Sequence, residues 1–289
     1  MENAKVNSIS INYLLEGPST GDLVVLINGL ADDLKTWDYQ IPALHSAGYQ
    51  TLRYDNRGIG ESSRPAGPYT SEMMADDLHA LLVKLDIDKF HLLGVSMGGM
   101  IAQSYALKYS NGSAAANGKE LLSLSLCCTY AQPTAFCSRM FDLWADMARK
   151  MSVQDVMRDV TLWAFTVPFF RQRADELRQV EEAMKGLAMQ VPEYLAQLNV
   201  IQTFDTIHAL ETLKSGGKVL GNLNPGSIMV LAGKVDILIP VILSRELAEK
   251  IEGSQFITVK GGHGCMWEFP DDFNGAVIRF LDKHRRARH

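Results

Sequence analysis

A chain of 289 residues, 47% hydrophobic and 21% charged, has the makeup of a globular protein with an ample core, which excludes a disordered or fibrous polypeptide. Its net charge of −5 offers no electrostatic footprint for nucleic acid, and the one basic run, Lys283 to Arg288, reads as a solvated tail. Four cysteines without a C-x-x-C pair make no disulfide framework, no apolar run approaches the ~18 residues of a membrane span, and the N-terminus lacks a signal-peptide pattern, so a cytoplasmic protein with no membrane partner is expected.

Residues Val6 to Leu15 alternate apolar and polar and predict one half-exposed strand, closed by Glu16-Gly17-Pro18. Leu23 to Ile27 is continuously apolar, the mark of a strand covered on both faces, and it ends in Asn28-Gly29-Leu30-Ala31. Thr36 to Ala47 has helical spacing with Gly48 as its stop, and Thr51 to Tyr54 makes the next strand. The loop Arg53 to Ser62 is dense in turn formers and charges, and Asp55 and Arg57 are expected to tie it down by paired charges. Tyr69 to Leu85 follows as an amphipathic helix with Thr70 or Ser71 as N-cap. Phe90 to Val95 predicts a buried strand, and a helix begins at Met97. A small-residue surface insertion, Asn111 to Gly118, precedes a strand over Leu121 to Cys128.

Near Cys137 the character changes. From there to about Asp205 the chain reads as successive helices: Ser138 to Lys150, Val153 to Phe165, Arg171 to Leu187 and Val191 to Phe204. Alternation then resumes with strands at Ser227 to Ala232 and Phe256 to Lys260, and with helices at Pro240 to Ile251 and Pro270 to His284. The expected fold class is α/β, a mostly parallel central sheet flanked by helices and built on right-handed crossovers. Its core is discontinuous, residues 1–136 and 206–289, and residues 137–205 form an inserted all-helical lid. Most aromatic and methionine side chains of that lid are packing; Trp144, Trp163 and Phe165 are candidates to face substrate.

Between the strand ending at Val95 and the helix starting at Met97 there is room for one tight turn, and it reads Gly94-Val95-Ser96-Met97-Gly98. This G-x-S-x-G pattern in a strand-to-helix context is that of a nucleophile elbow, with Ser96 at its tip. A serine hydroxyl needs a base, and the base an orienting acid. Of seven histidines only His263, in Lys260-Gly261-Gly262-His263-Gly264, lies in a loop just past a late strand. Asp236, just past the strand ending at Ala232, precedes it by the length of one helix and one strand. That fits the chain order Ser, Asp, His. Glu268 is read as a structural partner. The tetrahedral intermediate would draw on the backbone N–H groups of Met97 and of Leu30, in the loop after Ile27 to which Gly29 gives freedom and which Asn28 braces, and Asn28 and Gly29 are also candidates to touch substrate. None of these roles calls for a metal or a cofactor, and none is expected.

With these motifs in view, the chain resembles an α/β-hydrolase with a helical lid, and within that superfamily it is similar to 3-oxoadipate enol-lactonases. The likeness rests on Arg53 to Gly58, Gly60-Glu61-Ser62, Gly67-Pro68-Tyr69-Thr70, Gly94 to Met100 and Gly262-His263, and on Asn28-Gly29 where many relatives carry His-Gly. The insertion at Asn111 to Gly118 and the stretch Lys214 to Pro225 depart from it. The resemblance implies a Ser96-His263-Asp236 hydrolase of a small-molecule ester or lactone working through an acyl-enzyme. Because hydrolases of fungal secondary metabolism also resemble it, a polyketide-type ester or lactone stands beside the catabolic enol-lactone. Cleavage of a C–C bond or thioester by the same triad, and a non-catalytic ligand receptor on the same fold, are the alternatives. The oligomeric state is left open, a homodimer included.

Overall fold

The structure, a computed structural model, describes residues 1–110, 119–185, 188–215, 223 and 226–285. The insertion at 111–118, most of the divergent stretch 214–225 and the end of the basic tail lie outside the described residues.

The first expected strand is in fact a hairpin. β1 (Glu2–Val6) and β2 (Ile9–Glu16) pair antiparallel. Between them Asn7 and Ser8 both take positive φ, 45° and 65°, as in the two-residue turns that match strand twist. With no glycine there, the turn gives no breaker signal and the two strands read as one.

β2 then pairs antiparallel with β4 (Gln50–Tyr54). The remaining strands, β3 (Leu23–Ile27), β5 (Lys89–Val95), β6 (Glu120–Cys127), β7 (Ile228–Gly233) and β8 (Gln255–Val259), extend a parallel sheet from β4. The order is β1-β2-β4-β3-β5-β6-β7-β8, so successive connections leave β3 in opposite directions, to β4 on one side and β5 on the other. Strand ends diverge at such a switch point, which opens a crevice at their carboxyl ends.

Helices cover both faces. α1 (Ile41–Ser46) and α12 (Pro270–Asp282) pack on one, burying Val24, Leu26, Leu93, Leu231, Phe273 and Phe280 together. α2 (Ser71–Lys84), α3 (Met97–Tyr109) and α10 (Val241–Lys250) lie on the other, over Val25, Ile27, Leu92 and Val230. Residues 24 and 26 of β3 thus face opposite to 23, 25 and 27, as the period of two requires. The helical spacing of Thr36 to Ala47 resolves into a 3-10 turn (Leu34–Trp37) and α1, because Pro42 can open a helix but not lie within one.

Between β6 and β7 run α4 (Ala135–Lys150), α5 (Val153–Ala164), α6 (Val167–Gln172), α7 (Ala174–Lys185), α8 (Val191–Thr203) and α9 (Ile207–Ser215). The helix expected over Arg171 to Leu187 is split at Arg173, since Pro168 opens α6 early. α9 was not anticipated, and it packs on α10. The loop after β4 is held as a structural element, though not by a pair between its own charges. Arg57 makes two hydrogen bonds to Asp77 of α2, at 2.6 and 2.7 Å. Asp55 instead accepts from Asn12 Nδ2, the Leu34 N–H and the Glu61 N–H at 2.7 to 2.9 Å. No described helix is long and apolar enough to cross a membrane, and all four cysteines are buried free thiols.

Candidate active site

The carboxyl ends of β3 and β5 meet at the crevice. Ser96 sits there at φ 55°, ψ −119°, a backbone conformation that L-residues rarely adopt and that persists only where surrounding packing enforces it. The flanking glycines supply that packing. A Cβ on Gly94 would lie 2.1 Å from the Gly98 carbonyl oxygen, and one on Gly98 2.2 Å from the carbonyl oxygen of Ile27. Both positions therefore need glycine for close approach rather than for positive φ. α3 starts at the next residue, Met97, so its unpaired N–H groups and positive dipole end lie at the serine.

His263 follows β8 on Gly261, which takes φ 102°, and the loop is tied to α5 where the Gly264 N–H donates to the Ala164 carbonyl at 2.8 Å. His263 Nδ1 lies 2.9 Å from Asp236 Oδ2, and Asp236 Oδ1 accepts the Ile239 N–H at 2.9 Å. An imidazole that donates Nδ1–H to a carboxylate keeps Nε2 as its basic nitrogen. Ser96 and His263 both line one cavity of about 470 Å³, while Asp236 is buried behind the imidazole. Glu268 points elsewhere. Its carboxylate accepts the Gly262 N–H at 3.1 Å and the Thr166 N–H, so it joins the histidine loop to the start of α6.

Of the other expected site residues, Gly29, Leu30, Trp144 and Phe165 line this cavity. Met97 is fully buried and can present only its backbone. Asn28 and Trp163 are engaged elsewhere. The Asn28 amide donates to the Tyr54 carbonyl at 2.9 Å and accepts from Trp37 Nε1 at 2.8 Å, which makes it a brace. Trp163 Nε1 donates to Asp159 at 3.1 Å and its ring meets Phe136 edge-on.

Three contributors had no sequence signal. Trp267 lines the cavity from α11 (Cys265–Glu268). Gln197, fully buried on α8, accepts the Ala31 N–H at 3.0 Å and donates to the Arg57 carbonyl at 2.8 Å. It thereby fixes the loop that carries Leu30, where Ala31 itself holds a positive φ of 58°. The third is Asp32, whose carboxyl is surrounded by protein atoms although the residue keeps some area open to the cavity. Burial, reinforced by the negative charge of Asp33, pushes its pKa up to about 7, against the opposing pull of His263 and a hydrogen bond from Thr36.

Cys128, Asp236 and His263 offer donor atoms within 4.8 Å of one another. They suit a metal poorly. A metal needs the thiolate, and the Cys128 thiol is pushed well up by its contact with Cys265, 3.7 Å away, and by burial.

An eight-stranded, mostly parallel sheet with a serine at a strained strand-to-helix turn and a histidine-aspartate pair beyond the later strands defines an α/β-hydrolase. The chain belongs to that family, whose model, described as the alpha/beta hydrolase fold, matches residues 22–270. It is similar in structure to the enol-lactonase of Burkholderia xenovorans LB400 (TM-score 0.82, 26% identity, covering 97% of this chain and 100% of that one). It is also similar to a thermophilic esterase of Thermogutta terrifontis (TM-score 0.80, 26% identity, covering 99% and 100%). In sequence it matches a Caulobacter segnis protein that carries the name of a carbamate hydrolase, RutD, at 26% identity over 265 residues, 90% of this chain and 91% of the other.

Proposed function

We propose that this hydrolase-family protein cleaves a carboxylic ester or lactone of a small to medium organic substrate through an acyl-enzyme on Ser96. The observation that carries the reading is the His263–Asp236 hydrogen bond of 2.9 Å set behind the cavity that Ser96 enters on its strained turn. His263 Nε2 takes the Ser96 hydroxyl proton as Oγ attacks the acyl carbon, and the Leu30 and Met97 N–H groups receive the oxyanion. Collapse breaks the acyl–oxygen bond, and the imidazolium gives its proton to the leaving alkoxide. A water, deprotonated by the same nitrogen, then hydrolyses the acyl-serine to the carboxylic acid. Asp236 holds the imidazole in the required tautomer and stabilises its charged form.

The helical segment 137–205 is the lid of this account. Phe141, Trp144, Phe165 and Phe169 give the cavity a mostly apolar wall, suited to a hydrophobic acyl or alcohol part. Esters and lactones are favoured over other acyl derivatives because both structural relatives named above carry esterase or lactonase names. The test is labelling with a neutral fluorophosphonate followed by a panel of lactones, esters and thioesters. The reading expects stoichiometric modification at Ser96 and turnover of an ester or lactone; modification absent from Ser96 would refute it.

A further inference from the structure

We propose that Asp32 is a specificity-determining residue that turns away substrates with a negative charge near the scissile carbonyl, so that this site takes acyl groups that are uncharged there. The inference rests on the serine-hydrolase reading above. Asp32 and Ser96 flank the same glycine. The position a Cβ would take on Gly29 lies 2.8 Å from Asp32 Oδ2 and 3.6 Å from the Ser96 Cβ, so the carboxyl stands beside the point of attack. Both side chains line the cavity.

The charged neighbours offer an anion little. Among the described lining residues, Asp33 beside Asp32 and Glu176 on α7 add negative charge, and Glu176 is already paired with Arg173 through Nε and Nη2. The one lining cation besides the histidine is Lys35, which is exposed, and Tyr39 at the rim is exposed as well. His263 is held by Asp236. An acyl carboxylate would therefore enter a mostly apolar cavity beside Asp32 and Asp33, with its hydration removed and only the exposed Lys35 as a lining cation besides the histidine. An uncharged acyl group meets only the apolar wall and the Asp32 carboxyl.

Asp32 also makes the selection depend on pH. Its pKa of about 7 keeps the carboxyl largely protonated at pH 6, when it can donate a hydrogen bond, and ionised at pH 8.5, when it repels. Rejection of anions should therefore grow with pH.

The test uses two fluorophosphonate probes that differ only at the end of a short chain, methyl in one and a carboxylate in the other. In both, Ser96 Oγ bonds phosphorus and fluoride leaves, the serine proton passing to His263, so the ratio of labelling rates cancels titration of the base. The wild type should prefer the neutral probe, and the preference should grow about tenfold between pH 6 and 8.5. In Asp32→Asn the ratio should be flat with pH and about tenfold lower at pH 8.5. A wild-type ratio constant within twofold, or the same rise in Asp32→Asn, would overturn the proposal. Should the variant fail to fold, the wild-type profile alone decides. Absence of labelling by the neutral probe would overturn the serine mechanism itself, whereas labelling with a flat ratio overturns only the role of Asp32.

Discussion

Gln197→Leu tests how the helical segment holds the loop that carries Leu30, the proposed oxyanion donor. Gln197 is fully buried, and its amide is the one described partner of the Ala31 N–H, at 3.0 Å, while also donating to the Arg57 carbonyl at 2.8 Å. Leucine has a similar volume, although it branches at Cγ rather than Cδ, so the packing of α8 is largely kept while both backbone groups lose their partner. Leaving a buried polar group unsatisfied costs ~1–3 kcal/mol, so the two together should cost about 2–6 kcal/mol in urea unfolding. Leu30 precedes Ala31 directly, and Ala31 is held at φ 58°, so a loop released from Gln197 moves the N–H proposed as one oxyanion donor. Loss of such a donor is worth ~10²–10³ in kcat. Gln197→Glu separates the two effects, since its carboxylate still accepts the Ala31 N–H but cannot donate to Arg57. It should lose stability yet keep more activity than Gln197→Leu. A Gln197→Leu protein destabilised by less than ~0.5 kcal/mol, within the range of neutral substitutions, and active within twofold would refute the reasoning.

Asp236→Asn should lower kcat ~10³- to 10⁴-fold by removing the charge and favouring the wrong tautomer, whereas Glu268→Gln, which sets an amide against backbone donors, should cost ~1–3 kcal/mol of stability with a smaller loss of rate. The reverse ranking in steady-state assays would move the acid to Glu268. Asp32→Asn should be stabilising at alkaline pH. The folded-state pKa of about 7 lies above the unfolded value of 3.8, so the stability Asp32 contributes is fully present below pH ~4 and lost as pH rises through 7. The gap between variant and wild type in urea unfolding should accordingly open over that window, toward a limit of ~4 kcal/mol and roughly half that once cavity water screens the charge; a gap independent of pH would contradict the burial of this carboxyl. Trp144→Ala should alter kcat/KM ratios among ester substrates more than it alters Ser96 labelling by a small probe, and uniform losses would assign Trp144 to the fold alone.

Much of this architecture was legible because buried parallel strands are continuous apolar runs, as in Leu23 to Ile27, and because Gly94 and Gly98 are dictated by carbonyl oxygens that would lie 2.1 and 2.2 Å from an added Cβ. The spacing of Asp236 and His263 likewise anticipated that they meet. What stayed hidden depends on local φ or on distant contact. The turn at Asn7-Ser8 lacks a glycine, and the break at Arg173 has no proline of its own. Asn28 stood open between a loop brace and a substrate contact, and only the fold shows its amide taken up by Tyr54 and Trp37. Asp32 belongs to no sequence motif, and only the fold encloses it. Gln197 reaches Ala31 across 166 positions of chain, a separation that no local pattern can register.

The central claim is that Ser96 carries the acyl group. Mixing the protein with an activated ester under conditions where deacylation is slow, then quenching in acid, should give an intact mass raised by one acyl group. Peptide mapping should place that group on Ser96, and Ser96→Ala should show neither the adduct nor more than a ~10⁻⁴ fraction of the wild-type kcat. An adduct on another residue, or turnover by Ser96→Ala within tenfold of wild type, would contradict the account.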